Sequence, residues 1–170
     1  MKFRFSETLM RLWCSLGLGL FILVLSACAG GQELPNHSFE FHAARDSPEV
    51  EILDYRYGDS KQPGARASES DKSIGRVQMG GAIYGAMLRG DSLYVKWRVK
   101  ATSKIYEDTA DLKSCLPRDI AEHTIYFLVR DTHLNVYLVS PQKAAESHPP
   151  GPLRKYSDLK VTTLHPTCSR

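Results

Sequence analysis

The sequence lacks three features from which function is often inferred: a long apolar run, a large excess of charge of one sign, and a catalytic motif. Its longest apolar run, residues 12–25, is shorter than the roughly twenty residues that a membrane-spanning helix needs. No G-x-S-x-G motif is present, and the glycines at 75, 80, 85 and 90 match neither a dinucleotide fingerprint nor a P-loop. We therefore expect no permanent spanning helix in this segment and no enzymatic activity.

The histidines do not form a metal-binding pattern. His37 and His42 are five residues apart on a predicted strand, so their side chains point to opposite faces. The remaining ones fall at predicted strand ends or in loops: His123, His133, His148 and His165. Zinc sites need three or four ligands that converge on one point. We expect neither a metal nor a cofactor.

The N-terminal 27 residues have the layout of an export signal. Basic residues precede the short apolar run at 12–25, and small residues follow it. The segment Leu25-Ser26-Ala27-Cys28 resembles the bacterial lipobox, in which the cysteine thiol is acylated and the cysteine becomes the first residue of the mature chain. The alternative is a buried N-terminal helix in which Cys28 is an ordinary core residue.

The lipobox resemblance implies a cellular location and a domain organisation. Residues 1–27 become a signal peptide, residues 28–36 an acylated tether, and residues 37–170 a folded domain. Ala29, in place of an aspartate after the cysteine, resembles the pattern of outer-membrane lipoproteins. Each buried methylene of an acyl chain contributes about 0.8 kcal/mol to membrane binding. We expect the chain to be held by Cys28 on the periplasmic side of the outer membrane.

Removal of the signal changes the charge balance. The whole chain has 22 Lys and Arg, 19 Asp and Glu, and a net charge of +3. Without Lys2, Arg4, Arg11 and Glu7, 19 basic and 18 acidic residues remain, a net charge of +1. This balance gives no electrostatic basis for binding nucleic acid. We expect no nucleic-acid partner.

Four cysteines are distributed between the signal and the domain. Cys14 leaves with the signal and Cys28 is acylated, so Cys115 and Cys168 remain as a candidate disulfide pair. An oxidising periplasm favours such a bond. Two free thiols too far apart to meet are the alternative, because sequence spacing alone does not fix the distance between them.

The domain sequence predicts strands rather than helices. Short apolar runs alternate with turn residues, and little helical periodicity is sustained. "SLYVKWRVK", residues 92–100, alternates apolar and polar residues as a half-buried strand does. Seven or eight such strands, with one or two helical turns including one after Pro117, predict an all-β fold, either a sandwich or a partly open barrel.

Two hairpins have a predicted register. "ATSK", residues 101–104, is predicted as a four-residue loop that places Lys100 opposite Ile105 and Arg98 opposite Glu107. Asp108 is then expected beside the core, with a structural role. In "TIYFLVRDTHLNVYLVS", residues 124–140, the segment 131–133 is predicted as a three-residue loop.

The strands on either side of that second loop are apolar on both faces. Such strands are usually central and covered on both sides. The alternative is that one face is an exposed patch for a partner, because monomers seldom leave a large apolar patch open. The candidate contact residues are Tyr84, Met87, Tyr126, Phe127 and Tyr137.

The stretch "GDSLYVKWRVKATSKIYEDTADLKSCLPRDIAEHTIYFLVRDTHLNVYLV", residues 90–139, resembles a group of small bacterial envelope lipoproteins. Some of these are similar to immunity partners of type VI secretion effectors, including lipases. The resemblance implies an inhibitor that meets a toxin in the periplasm and blocks its active site. An inhibitor needs a rigid scaffold and a packed contact cluster rather than catalytic residues.

Two other functions remain open. The chain could be a structural or accessory envelope lipoprotein without toxin-neutralising activity, or a carrier of a small ligand. A deep apolar cavity would favour the carrier. An exposed aromatic patch or a protruding charged loop would favour a protein-binding module.

The predicted lipid anchor can be tested by removing the Cys28 thiol. Cys28→Ala removes the thiol that acylation needs, so we expect the protein to leave the outer-membrane fraction when membranes are separated by density. Unchanged outer-membrane retention would contradict the lipid anchor.

Overall fold

The computed structural model describes residues 34–75, 77, 79–145 and 152–167. The predicted signal peptide, Cys28 and most of the predicted tether lie outside these residues. The described strands are β1 (Asn36–Phe41), β2 (Val50–Tyr57), β3 (Gly81–Ala86), β4 (Ser92–Val99), β5 (Ile105–Asp111), β6 (Thr124–Arg130), β7 (His133–Lys143) and β8 (Leu159–His165). Short helices α1 (Ala43–Asp46) and α2 (Glu69–Ser73) and a 3-10 turn (Arg154–Tyr156) connect them.

The strands form two sheets. The larger sheet has the order β3-β1-β6-β7-β8, and the smaller has the order β2-β4-β5. β1 and β6 are parallel, and all other neighbouring strands are antiparallel. The prediction of an all-β, sandwich-like fold is confirmed. β1 begins at Asn36, so the strand starts at the last residue of the predicted tether.

The main core lies between the two sheets. β4 alternates as its sequence predicts, with these side chains buried: Leu93, Val95, Trp97 and Val99. Phe41 of β1 and Phe127 of β6 are also buried in this core, and their rings stack with centroids 4.7 Å apart. Aromatic pairs at this separation contribute stability beyond the area that they bury. The core therefore draws on central strands of both sheets.

The register of β4 and β5 differs from the prediction by two residues. Arg98, rather than Lys100, lies opposite Ile105. Because side chains alternate with a period of two, this shift leaves the same residues on the buried face. The predicted pair of Arg98 with Glu107 is wrong: Arg98 instead donates to Glu51 of β2 at 2.8 Å.

The hairpin of β6 and β7 has a two-residue turn rather than the predicted three-residue loop. Arg130 pairs with His133, which leaves Asp131 and Thr132 as the turn. Asp131 has a φ of 50°, a conformation that tight hairpin turns use. One loop residue fewer changes the pairing by one position, so each residue of β7 lies on the opposite face from the one that a three-residue loop would give it.

Both faces of this hairpin are covered. Ile125, Phe127 and Val129 contribute to the main core. On the face that points away from the smaller sheet, which we call the outer face, a second cluster joins Tyr126, Leu128, Tyr137, Val139 and Leu153. The segment around the 3-10 turn packs over this cluster. The alternative with both faces covered, rather than an exposed patch, is therefore correct for these strands.

One connection differs from its predicted conformation, and another contains a short helix. Residues 113–123, after β5, contain no helix, so the helical turn predicted after Pro117 is wrong. Leu116 and Ile120 insert into the core from this irregular segment and hold it there. The Gly-Ser-rich loop after β2 contains α2, whose N-cap Ser68 accepts a hydrogen bond from the Asp71 backbone at 3.1 Å.

Asp108 has the structural contact that its core-side position calls for. Its Oδ2 lies 2.9 Å from Nε2 of His165, which belongs to β8. β5 and β8 are edge strands of different sheets. This polar contact therefore links the two sheets along one side of the sandwich.

A polar group is buried at the opposite side, where His37 meets Tyr57. His37 Nδ1 lies 2.9 Å from the Pro35 carbonyl, which can only accept, so Nδ1 carries the proton. Nε2 therefore accepts from the Tyr57 hydroxyl at 3.1 Å. Burial lowers the pKa of His37 and raises the pKa of Tyr57 to about 12, so both groups are neutral at pH 7. The Gly90 backbone also bonds to the Tyr57 hydroxyl.

Gly90 can be tested as a packing constraint. A Cβ at this position would lie 2.5 Å from Cε2 of the Tyr57 ring, which has no room to move in the core. We expect Gly90→Ala to lower the free energy of unfolding by about 1–3 kcal/mol. Gly81→Ala is the matched control, because its Cβ would meet Phe41 at an ordinary 3.6 Å. Equal urea midpoints for the two variants would contradict this account.

Candidate functional site

The structure separates the five candidate contact residues into one exposed residue and four buried ones. Tyr84 on β3 is 58% exposed. Met87 and Phe127 lie in the main core, and Tyr126 and Tyr137 lie in the second cluster. The selection of these four as surface contacts is corrected, because Met87 and Phe127 pack inside the main core and the segment around the 3-10 turn covers Tyr126 and Tyr137.

A basic pocket opens on the outer face where α1, the end of β6 and the 3-10 turn meet. Its volume is about 180 Å³. Its lining, which defines the term basic pocket below, consists of Arg45, Asp46, Tyr126, Leu128, Arg130, Pro152, Leu153, Arg154 and Lys155. Four of these are cations and one is a carboxylate, so the lining has an excess of positive charge.

The wall of the pocket contributed by α1 is an ion pair joined to a tyrosine. Arg45 Nε donates to Asp46 Oδ1 at 2.9 Å, and Arg45 Nη2 donates to the Tyr126 hydroxyl at 3.2 Å. The Tyr126 hydroxyl in turn donates to Asp46. Burial alone would raise the pKa of Asp46, but the bonds from Arg45 and Tyr126 outweigh it and lower that pKa. The Asp46 carboxylate is therefore ionised and already bonded.

A second ion pair joins Lys155 of the pocket lining to Glu40, which lies outside that lining. Lys155 Nζ donates to Glu40 Oε1 at 2.5 Å, and the Tyr156 hydroxyl donates to Glu40 Oε2 at 2.5 Å. Glu40 is only 5% exposed, and a buried carboxylate is stable only when it is paired in this way. Burial alone would lower the pKa of Lys155. The bonds to Glu40 and Tyr156 raise that pKa by more than burial lowers it, so the net shift is upward. Glu40 therefore neutralises Lys155.

Arg130 and Arg154 differ from the other two cations of the pocket. Neither forms a salt bridge or a side-chain hydrogen bond with any residue that the structure describes. Arg130 follows Tyr126 and Leu128 along the outer face of β6, and Arg154 begins the 3-10 turn. Two guanidinium groups without counter-charges therefore line one small concave surface.

The sequence pattern does not predict this pocket. Its charged residues come from three segments that are far apart in the chain: α1, the end of β6 and the 3-10 turn. No spacing rule links such segments before the sheet order is known. The one usable signal was Arg130, a charged residue at the end of a strand otherwise apolar on both faces.

The edge strand β3 is a second surface feature of the larger sheet. The backbone N–H of Ser38 in β1 donates to the His123 carbonyl at the start of β6, so the backbone groups of Ser38 point toward β6. Backbone groups of successive strand residues point to opposite sides, so those of Phe39 point toward β3. Phe39 pairs with Ile83, and the neighbouring Ala82 and Tyr84 therefore direct their N–H and C=O groups away from β1. No backbone hydrogen bond from another described segment reaches these groups.

The edge strands of the two sheets on this side of the sandwich differ in their backbone pairing. β2, the edge of the smaller sheet, is paired: Tyr57 donates its N–H to Ala65 at 2.8 Å, and Ala67 donates to Tyr55 at 3.0 Å. Within the described residues β3 has no such backbone pairing, and it contains neither a charge nor a proline, two devices that often protect an edge. The hydroxyl of Tyr84 donates to Glu122 Oε1 at 2.8 Å, which orients the exposed ring.

The described residues contain no group of three or more His, Cys, Asp and Glu side chains that could hold a metal ion. Within the same residues, no helix is long and apolar enough to cross a membrane. His37, considered above as a ligand, is a buried residue bonded to Tyr57. His42 follows β1 and is exposed, so the two side chains do not converge.

Cys115 is disulfide-bonded. Its Sγ lies 3.2 Å from the Asp111 carbonyl oxygen at the end of β5. The other three cysteines, Cys14, Cys28 and Cys168, lie outside the described residues. The pairing of Cys115 with Cys168 therefore stays a prediction.

Tyr126 and Tyr137 provide a matched test of the pocket wall, because they lie directly opposite each other on β6 and β7. Tyr126→Phe removes a hydroxyl that bonds to both Arg45 and Asp46, whereas no side-chain hydrogen bond is formed by Tyr137 with the described residues. We expect Tyr126→Phe to lower the free energy of unfolding by about 0.5–1.5 kcal/mol and Tyr137→Phe to change it little. Urea unfolding measures both values, and an equal cost for the two would contradict the hydrogen-bond assignment.

Comparison with known proteins gives no relative: no family model, no curated protein and no solved structure matches this chain.

Proposed function

We propose that this chain is an outer-membrane-anchored periplasmic lipoprotein that acts as a protein-binding module, and that it is an immunity protein neutralising a lipase-type effector of type VI secretion. The lipobox-like segment ending at Cys28 and the resemblance of residues 90–139 motivate the location and the kind of partner. The observation that carries the binding role is the open edge of β3, from which Tyr84 projects.

The edge of β3 is suited to an extended segment of the effector. Outward N–H and C=O groups of Ala82 and Tyr84 provide a ladder to which a strand can be added. Such a ladder gives affinity without sequence selectivity. The exposed ring of Tyr84 adds an aromatic contact, the type of residue that often dominates the binding energy of an interface.

Residues 90–139, which resemble envelope lipoproteins, form central strands of both sheets and so belong to the rigid part of the fold. Residues 92–139 include β4 and β5 of the smaller sheet, all of β6 and most of β7. β1 connects this hairpin to β3, because it pairs with β6 on one side and with β3 on the other. The proposed binding edge is therefore attached directly to the central strands of the larger sheet.

The test is protection of cells from the product of the neighbouring reading frame. That product is exported to the periplasm with and without this chain, and survival is counted. We expect the full-length wild-type chain to restore survival. Equal killing with and without it would contradict the immunity role and would favour a structural or accessory envelope lipoprotein.

A variant pair tests the binding edge. Tyr84→Ala is expected to weaken binding of the effector roughly 30-fold, the effect of losing a central contact of about 2 kcal/mol, and to reduce survival. Ile105→Ala is the matched control, because Ile105 is 50% exposed on β5, the edge of the other sheet. If the wild type protects and both variants protect equally, the β3 edge is not the binding surface.

A further inference from the structure

The basic pocket contains more positive charge than the fold needs. Glu40 neutralises Lys155 and Asp46 neutralises Arg45, at N to O distances of 2.5 and 2.9 Å. Arg130 and Arg154 have no such partner among the described residues. Two like charges that line one pocket repel each other, so this arrangement favours an anion between them.

The dimensions of the pocket limit the size of that anion. A volume of about 180 Å³ lies below the roughly 300–1,000 Å³ of pockets that hold drug-sized ligands. It suits one small charged group. Leu128, Pro152 and Leu153 form the apolar part of the lining, and an apolar surround strengthens the attraction between the arginines and an anion.

The arrangement of the donors favours phosphate over carboxylate. A carboxylate is planar and its two oxygens are matched by a single guanidinium fork. Arg130 and Arg154 come from separate segments, β6 and the 3-10 turn, and each has its own fork of donors. Phosphate has oxygens in several directions and can accept from both forks at once.

We propose that the basic pocket is a phosphate-binding site in which Arg130 and Arg154 bind the phosphate oxygens. Arg45 is held by Asp46 and Tyr126 and is already neutralised, so we do not assign it as a phosphate ligand. The phosphate belongs either to a soluble phosphate compound or to the headgroup of a phospholipid, which present the same chemistry to the two arginines. This site does not depend on the proposed immunity function.

The test measures phosphate binding to the full-length chain in non-ionic detergent micelles at constant ionic strength. The probes are inorganic phosphate, glycerol 3-phosphate, acetate, and micelles that contain phosphatidylglycerol. We expect saturable binding of phosphate probes, monitored by calorimetry, and at least tenfold weaker binding of acetate. Binding of the soluble probes alone assigns a soluble ligand, and binding of the lipid micelles alone assigns a headgroup.

Variants connect the binding to the two arginines. Arg130→Gln and Arg154→Gln are each expected to weaken phosphate binding about tenfold or more, because each removes charge-assisted hydrogen bonds. Arg118→Gln is the matched control, since Arg118 is exposed and lies outside the pocket. None of the three substitutions should lower the unfolding midpoint, since none of these arginines is paired within the described residues.

Three results would overturn the proposal. They are the absence of saturable binding with every phosphate probe, acetate binding as strong as phosphate binding, and wild-type affinity in the Arg130→Gln/Arg154→Gln double variant. None of these results depends on whether the chain protects cells from an effector.

Discussion

The two-residue turn at Asp131 and Thr132 determines which side chains of β7 share a face with those of β6. It pairs Arg130 with His133, and so places Val136 opposite Phe127 in the main core and Tyr137 opposite Tyr126 in the second cluster. Trp97 of β4 donates its indole N–H to the Asp131 carbonyl at 2.8 Å, which ties the turn to the smaller sheet. A loop one residue longer would place the wrong residues of β7 in the core. The main core and the second cluster both depend on this one turn, because it decides which residues of β7 each of them contains.

The sequence predicted the parts of the fold that depend on local periodicity. The alternation of β4 indicated its buried residues, because neighbouring side chains of a strand point to opposite faces. The two hairpin registers were wrong because a turn is decided by a few backbone angles. Ser103 and Asp131 both have positive φ, at 57° and 50°, which residue identity alone does not dictate. An error of two residues left the faces unchanged in β5, whereas an error of one exchanged them in β7.

The candidate site was predictable only in part, for a related reason. Tyr84 was selected as an aromatic residue and is exposed, whereas Tyr126 and Tyr137 are covered by a segment close to them in space and distant in sequence. The same segment brings Arg154 to Arg130. This covering segment therefore determines both which aromatic side chains are buried and which cations line the basic pocket. Neither effect leaves a periodic signal in the sequence.

The strand order also determines how the two surface features relate. β1 lies between β3 and β6, so the edge and the basic pocket share the larger sheet and are two strand positions apart, about 10 Å. A strand added at β3 extends the sheet away from β6. Glu40 of β1 lies between them and is occupied by Lys155 and Tyr156. A strand added at the β3 edge therefore lies two strand positions from β6 and uses backbone groups of β3, whereas the proposed phosphate site uses the side chains of Arg130 and Arg154.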